Sequence, residues 1–209
     1  QLDQAWHQTP SAEKQVLFVH GEAGLGTTAL ISHWLSEQAE TSSDALLTNV
    51  CCFNQHDSSE PYLPILNAIS NLLRNPQNQT IRPLLRQYAP SWLLQMPSLL
   101  EENERETLQQ ELFGVTKQRM LREFVDFIGS ITQKTPLLLC IEDLHWCDTA
   151  SLDLVMALAQ RQSLHQFMLL GSFRSSELRQ DSSALSHVYS QITLHKLGES
   201  LALSALTQD

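Results

Sequence analysis

Residues 15–28 read QVLFVHGEAGLGTT, and this stretch decides the fold. Gln15 to His20 is a short apolar run, β-branched in part, that ends in a glycine-rich turn, as a buried parallel strand does where it enters a loop. Beyond the turn, TTALISHWLSEQ sets Ala29, Leu30, His33, Trp34 and Leu35 at helical spacing. The local order is therefore strand, loop, helix. The loop Gly21-Glu22-Ala23-Gly24-Leu25-Gly26-Thr27-Thr28 fits G-x-x-x-x-G-K-[ST] at every position except the lysine, where Thr27 stands. Glycines allow backbone N–H groups to turn inward around a phosphate, and the helix N-terminus behind them adds a favourable dipole. Thr28 is the residue type that places a hydroxyl on Mg²⁺ in such a loop. A plain strand-to-helix connection is the bland alternative, and the buried strand before and helix after weigh against it.

The missing lysine has a definite chemical consequence. A lysine would bridge β- and γ-phosphates through charge-assisted contacts of roughly 1.5–3 kcal/mol, about ten- to a hundred-fold in affinity. Thr27 donates one neutral hydrogen bond and cannot neutralise charge developing on a γ-phosphoryl group. Hydrolysis is expected to suffer more than binding.

Working outward, Ala45 to Phe53 (ALLTNVCCF) is a second strand candidate, and Glu60-Pro61-Tyr62-Leu63-Pro64 breaks regular structure before the helical LPILNAISNLL. Pro83, Pro90 and Pro97 divide the next stretch into short helical pieces. Residues 109–133 carry apolar side chains in helical rhythm and read as one long helix or two abutting ones. The strongest apolar strand is Pro136 to Ile141, followed by EDLHWCD and a helix over Thr149 to Ala159 with Asp148 as its cap. Gln166 to Phe173 is a fourth strand and Gln191 to Leu197 a weaker fifth, with a last helix expected near Glu199. Alternating strands and helices predict an α/β fold, a five-stranded, mostly parallel sheet sandwiched by helices. The expected division is a core over residues 1–197, with a helical insertion at about 61–133, and the start of a helical lid over 198–209.

The run LLLCIEDLHWCD ends an apolar strand in two carboxylates, which is the form of the second half of a phosphate-binding site. In a doubly wound sheet, ligands gather at the carboxyl ends of strands, and Gly21 and Glu142 both lie just past such ends. Glu142 is a candidate to hold Mg²⁺ directly or through water, and Asp143 to orient an attacking water.

Taken together, GEAGLGTT, IEDLHWCDTASLDL and LLGSFRSSEL resemble the nucleotide-binding domain of STAND-type signal-transduction ATPases. The branch is the AAA-like one, found in bacterial transcriptional regulators and cyclase-associated proteins. The resemblance covers roughly residues 10 to 205. It implies a P-loop NTPase core, with Walker A on Gly21 to Thr28, a helical insertion opening at Pro61-Tyr62-Leu63-Pro64, and Walker B on Glu142, Asp143, His145, Trp146 and Asp148. It also implies that Arg174 contacts the γ-phosphate and reports whether ATP or ADP is bound. His145 is implied close to the site, as a hydrogen-bond partner or a structural histidine, and Trp146 as a packing residue.

Composition narrows the partners. The 209 residues are 42% hydrophobic and 17% charged, a globular profile. Their net charge of −10 repels a phosphate backbone and an anionic membrane, so no direct nucleic-acid or membrane contact is expected from this segment. Cys51, Cys52, Cys140 and Cys147 form no C-x-x-C pair, and buried thiols in a reducing cytoplasm are the expected reading. No G-x-S-x-G elbow accompanies Ser172, and no H-x-x-x-H pair is present, so neither a hydrolase triad nor a transition-metal site has support. The opening residues resemble the middle of an amphipathic helix, and a piece of a longer chain is expected. The reading as a whole is an ATP/ADP- and Mg²⁺-binding regulatory switch with weak or absent hydrolysis. Its partners would be other domains of its own chain, a lid, repeats and an output domain, and further copies of itself. The alternative is a non-enzymatic scaffold that keeps the fold.

Overall fold

The structure is a computed structural model, and it describes residues 1–9, 14–42, 44–53, 60–75, 78–179 and 183–204. Its frame is a five-stranded sheet in the order β2-β3-β4-β1-β5, with β1 at Gln15–Gly21, β2 at Leu46–Cys51, β3 at Leu137–Glu142, β4 at Phe167–Arg174 and β5 at Glu199–Ala202. Every pair is parallel, a stricter arrangement than the mostly parallel sheet expected from the sequence. Burial on both faces explains the unbroken apolar runs: all six residues of β3 and seven of the eight in β4 are buried.

The two faces are covered unequally. On one side lie α1 (Leu2–Gln8) and α2 (Thr27–Thr41), whose Leu2, Trp6, Ile31 and Trp34 pack on Leu17, Val19, Leu138, Cys140, Met168 and Leu170. Helix α1 clasps α2 through polar contacts as well. The Asp3 carboxylate accepts from Trp34 Nε1 at 2.7 Å and from Gln38 Nε2 at 3.2 Å, and Trp6 Nε1 donates to Ser42 Oγ at 3.2 Å.

The other face carries the larger core, built from the helices between β2 and β3 together with two later ones. These are α3 (Leu63–Arg74), α4 (Ile81–Tyr88), α5 (Pro90–Leu94), α6 (Glu102–Glu111) and α7 (Lys117–Thr132), then α8 (Thr149–Gln160) and α9 (Ala184–Leu194). The segment at 109–133 is two helices, because α6 ends at Glu111 and Gly114, at φ 78°, turns the chain before the Thr116 hydroxyl caps α7. Trp92 is fully buried in this insertion, its Nε1 donating to Met120 O, with Tyr62 and Phe124 against its ring. Among the described residues no helix is long and apolar enough to cross a membrane.

Two expectations at the carboxyl-terminal end are corrected. Gln191–Leu197 is not the fifth strand: it holds the end of α9 and the turn after it, because Leu185, Val188 and Ile192 recur at helical spacing and all bury against the large core. The fifth strand lies instead at Glu199–Ala202, where a helix was expected, and it adds as an edge beside β1. Gly198 makes that approach possible, since a Cβ there would stand 2.8 Å from Val16 O.

Candidate functional site

Parallel register brings the carboxyl ends of four strands to one level. Gly21 of β1 stands opposite Arg174 of β4, and Cys51 of β2 opposite Glu142 of β3. Between these ends lies a cavity of about 540 Å³, lined by Gly21, Glu22, Ala23, Gly24, Gly26, Thr27, Thr28, Ala29, Asp143, Ser172, Phe173 and Arg174. Seven of the eight loop residues singled out from the sequence line it. Leu25 does not; its side chain turns back toward Gly21.

The loop has the geometry of an anion cradle. Gly24 and Gly26 sit at φ 88° and 83°, a left-handed conformation that glycine adopts without strain. Gly26 is the N-cap of α2, and no side chain among the described residues caps the helix, so its first N–H groups are left facing the cavity with the positive end of the dipole. Thr27 and Thr28 are the first residues of that turn, and both line the cavity.

Across from the loop, the two acids take different environments. Asp143 lines the cavity, in a left-handed conformation at φ 57° and ψ 46° that a short polar side chain tolerates. Its N–H donates to Ser172 Oγ at 3.2 Å, and the Cys51 thiol donates to its Oδ2 at 3.5 Å. Burial, together with this hydrogen bond to a carboxylate, pushes the Cys51 thiol up to about 11, so it stays a protonated donor. Glu142 does not line the cavity. It is 3% exposed, at the end of β3, with Oε1 accepting from Asn49 Nδ2 at 2.8 Å. Oε2 is buried and, among the described residues, has no hydrogen-bond partner. A buried carboxylate oxygen of this kind is stabilised by a cation or a donor arriving from the site.

His145 lies behind Asp143, its side chain 1% exposed, with Nδ1 3.9 Å from Asp143 Oδ1, too far for a hydrogen bond. Burial holds its pKa below the ordinary value, against the pull of Asp143, and the charge of Arg174 pushes the same way as burial. Trp146 packs against the imidazole at 4.9 Å and is partly exposed. Asp148 fulfils the capping expectation for α8: Oδ1 accepts from Ser151 N at 2.9 Å and Oδ2 from Ser151 Oγ at 2.6 Å. Oδ1 also takes the N–H of Tyr62 at 3.2 Å, tying the start of the insertion to the acidic loop.

Five residues at the site were not singled out as site residues from the sequence: Ala29, Ser172, Phe173, Asn49 and Cys51. The last four become visible only through strand register, since each lies in the last three residues of its strand, on β2 or β4, beside a strand that carries a recognised motif.

The donors present fit a nucleotide and Mg²⁺: an uncapped helix start, a glycine cradle, the Thr28 hydroxyl, the unpartnered Oε2 of Glu142 and the Asp143 carboxylate. Among the described residues no group of three or more His, Cys, Asp or Glu side chains is placed to hold a metal by itself. Mg²⁺ bound through one or two protein groups completes its shell with phosphate oxygens and water.

The family comparison agrees with this architecture. The sequence model of the family described as AAA ATPase domain matches residues 1–170. No curated protein matches by sequence. Among solved structures, Drosophila ORC bound to AT-rich DNA and Cdc6 aligns at TM-score 0.47 and 10% identity, over 92% of this chain and 49% of that one. The complex with GC-rich DNA and Cdc6 aligns at 0.45 and 12%, over 98% and 54%. A bacterial conjugative coupling protein aligns at 0.37 and 11%, over 94% and 74%. The chain thus spans about half the length of the two ORC chains.

Proposed function

Because the chain belongs to the AAA ATPase domain family, we infer that its cavity takes Mg-ATP or Mg-ADP and that the domain serves as a nucleotide-controlled switch within a larger signalling or transcription-regulating protein, with little or no hydrolysis. One observation carries this reading: the glycine cradle, the uncapped start of α2, Asp143 and Arg174 all line a single cavity.

In this reading Gly21, Glu22, Ala23, Gly24, Gly26, Thr27 and Thr28 hold phosphates, chiefly through backbone N–H groups, while the Leu25 N–H is spent within the loop on Glu22 O. Thr28 and Glu142 hold Mg²⁺, Glu142 directly or through water. When bound, the cation polarises the phosphoryl oxygens. Asp143 orients the attacking water, and its own orientation comes from the Ser172 hydroxyl and the Cys51 thiol. Arg174 contacts the terminal phosphate. With Thr27 in place of lysine, charge developing at the γ-phosphoryl group is under-compensated, so occupancy rather than turnover is the output. A net charge of −10 sets this domain against direct contact with nucleic acid, and its partners are assigned to other domains of its chain and to further copies.

Thr27 also favours a second reading, a scaffold with the same fold and no nucleotide control. Calorimetric titration of Mg-ATP and Mg-ADP separates the two, run beside a Thr27→Lys variant. Measurable binding by the parent, tightened about ten- to a hundred-fold by the lysine with some turnover gained, supports the switch. Two folded proteins that both fail to bind would leave the scaffold.

A further inference from the structure

The charges around the cavity do not match the anion assigned to it. Its lining holds two acidic side chains, Glu22 and Asp143, and one basic one, Arg174, while position 27 is neutral. Arg174 is exposed at the end of β4 and makes no ion pair among the described residues. The acidic loop nonetheless lies within reach of its charge, since the guanidinium depresses the pKa of His145.

Register fixes where this cation starts. Arg174 stands opposite Gly21, the first residue of the loop, on an adjacent strand about 4.8 Å away. Its stem therefore leaves the sheet at the level of the cradle. A guanidinium is charged at every accessible pH, and its planar fork matches two phosphate oxygens at once.

We propose that Arg174 supplies the phosphate charge that position 27 lacks, so that it holds the phosphate common to ADP and ATP as well as reading the terminal one. This rests on the nucleotide reading above and assigns the site a specific electrostatic plan. A residue that only reports the γ-phosphate separates ATP from ADP. A residue that replaces the loop lysine is needed for both.

The experiment is titration of Mg-ADP and Mg-ATP into the parent, Arg174→Ala, Arg174→Lys and the double variant Thr27→Lys/Arg174→Ala. Arg174→Ala is expected to weaken both nucleotides about ten- to a hundred-fold, Mg-ATP at least as much as Mg-ADP, for the loss of a charge-assisted contact. The double variant is expected to recover most of that loss, and Arg174→Lys to keep part of the affinity. Arg174 is exposed, so truncation leaves no core void, and recovery in the double variant shows directly that the truncated site is intact. Loss confined to Mg-ATP, with Mg-ADP affinity unchanged, overturns the proposal in favour of a γ-phosphate reader. Failure of the Thr27→Lys change to restore binding overturns it too, because the two charges are then not interchangeable. If the parent binds neither nucleotide, the nucleotide reading itself falls, and that is evident before any variant is compared.

Discussion

At the scale of single residues, the site depends on two glycines for opposite reasons. Gly26 has φ 83° and open space where a Cβ would go, so only conformation excludes a side chain there. Gly26→Ala is expected to cost about 1–2 kcal/mol in backbone strain, relieved by tilting the cradle. Titration should show weakened nucleotide binding with only a small change in unfolding midpoint. Gly171 is the reverse case: its backbone is unstrained, but an added Cβ would lie 2.5 Å from Leu144 Cδ1 and 2.9 Å from the Phe18 ring. Gly171→Ala is expected to cost about 1–3 kcal/mol by overpacking, read as a lower denaturant midpoint. The two substitutions separate the loop's shape from the packing beneath it. Residue chemistry made the loop and the acidic pair legible in the sequence, because each is marked by local neighbours, whereas Arg174 is legible only through the family resemblance. The Asn49 amide on Glu142 and the Ser172 hydroxyl on Asp143 were not legible, since each joins strands 29 or more residues apart in sequence.

At the scale of elements, Asp148 joins two pieces that the chain separates by 86 residues, capping α8 while holding the N–H of Tyr62 ahead of α3. Asp148→Ala is expected to lose the cap, worth about 1–2 kcal/mol, and to free the start of the insertion. Hydrogen exchange should quicken at Ser151 and Tyr62 together, whereas a cap alone would affect only α8. The cap was visible in the sequence as an acid ahead of an apolar helical run. The end of the sheet was not. QITLHKL is as β-branched as a strand, and only burial of Leu185, Val188 and Ile192 on one face of α9 settles it as helix. ESLA carries too few apolar residues to signal a strand, and it joins the sheet because Gly198 lets it approach β1. Edge strands of this kind are defined by the partner they reach rather than by their own pattern.

At the scale of the whole molecule, acid should destabilise the domain through two imidazoles, the buried one of His145 and the half-buried one of His20. His145 and His20 both have pKa values lowered from 6.5 by burial, and His20 is held by Ser175 Oγ at 2.9 Å and stacked on Phe173. Above pH 6.5 neither group distinguishes the folded from the unfolded chain. As pH falls below that value, the unfolded chain takes up protons that the folded one resists, so stability declines until the folded pKa values are passed. Thermal unfolding followed from about pH 7.5 down to about pH 5 should show a falling midpoint, and His145→Gln should flatten the profile.

The clasp of α1 on α2 has a mechanical side. The helix whose first turn lines the cavity is gripped over its second half by a seven-residue segment, through Asp3 on Trp34 and Gln38 and through Trp6 on Ser42. A pull on residues ahead of Leu2 would load that grip before it loaded any strand. In the nucleotide reading, linkage is then expected to run both ways: tension there loosens the ligand, and the ligand steadies α1. Slower amide exchange at Ala5 to Gln8 on adding Mg-ADP is the expected trace of that coupling.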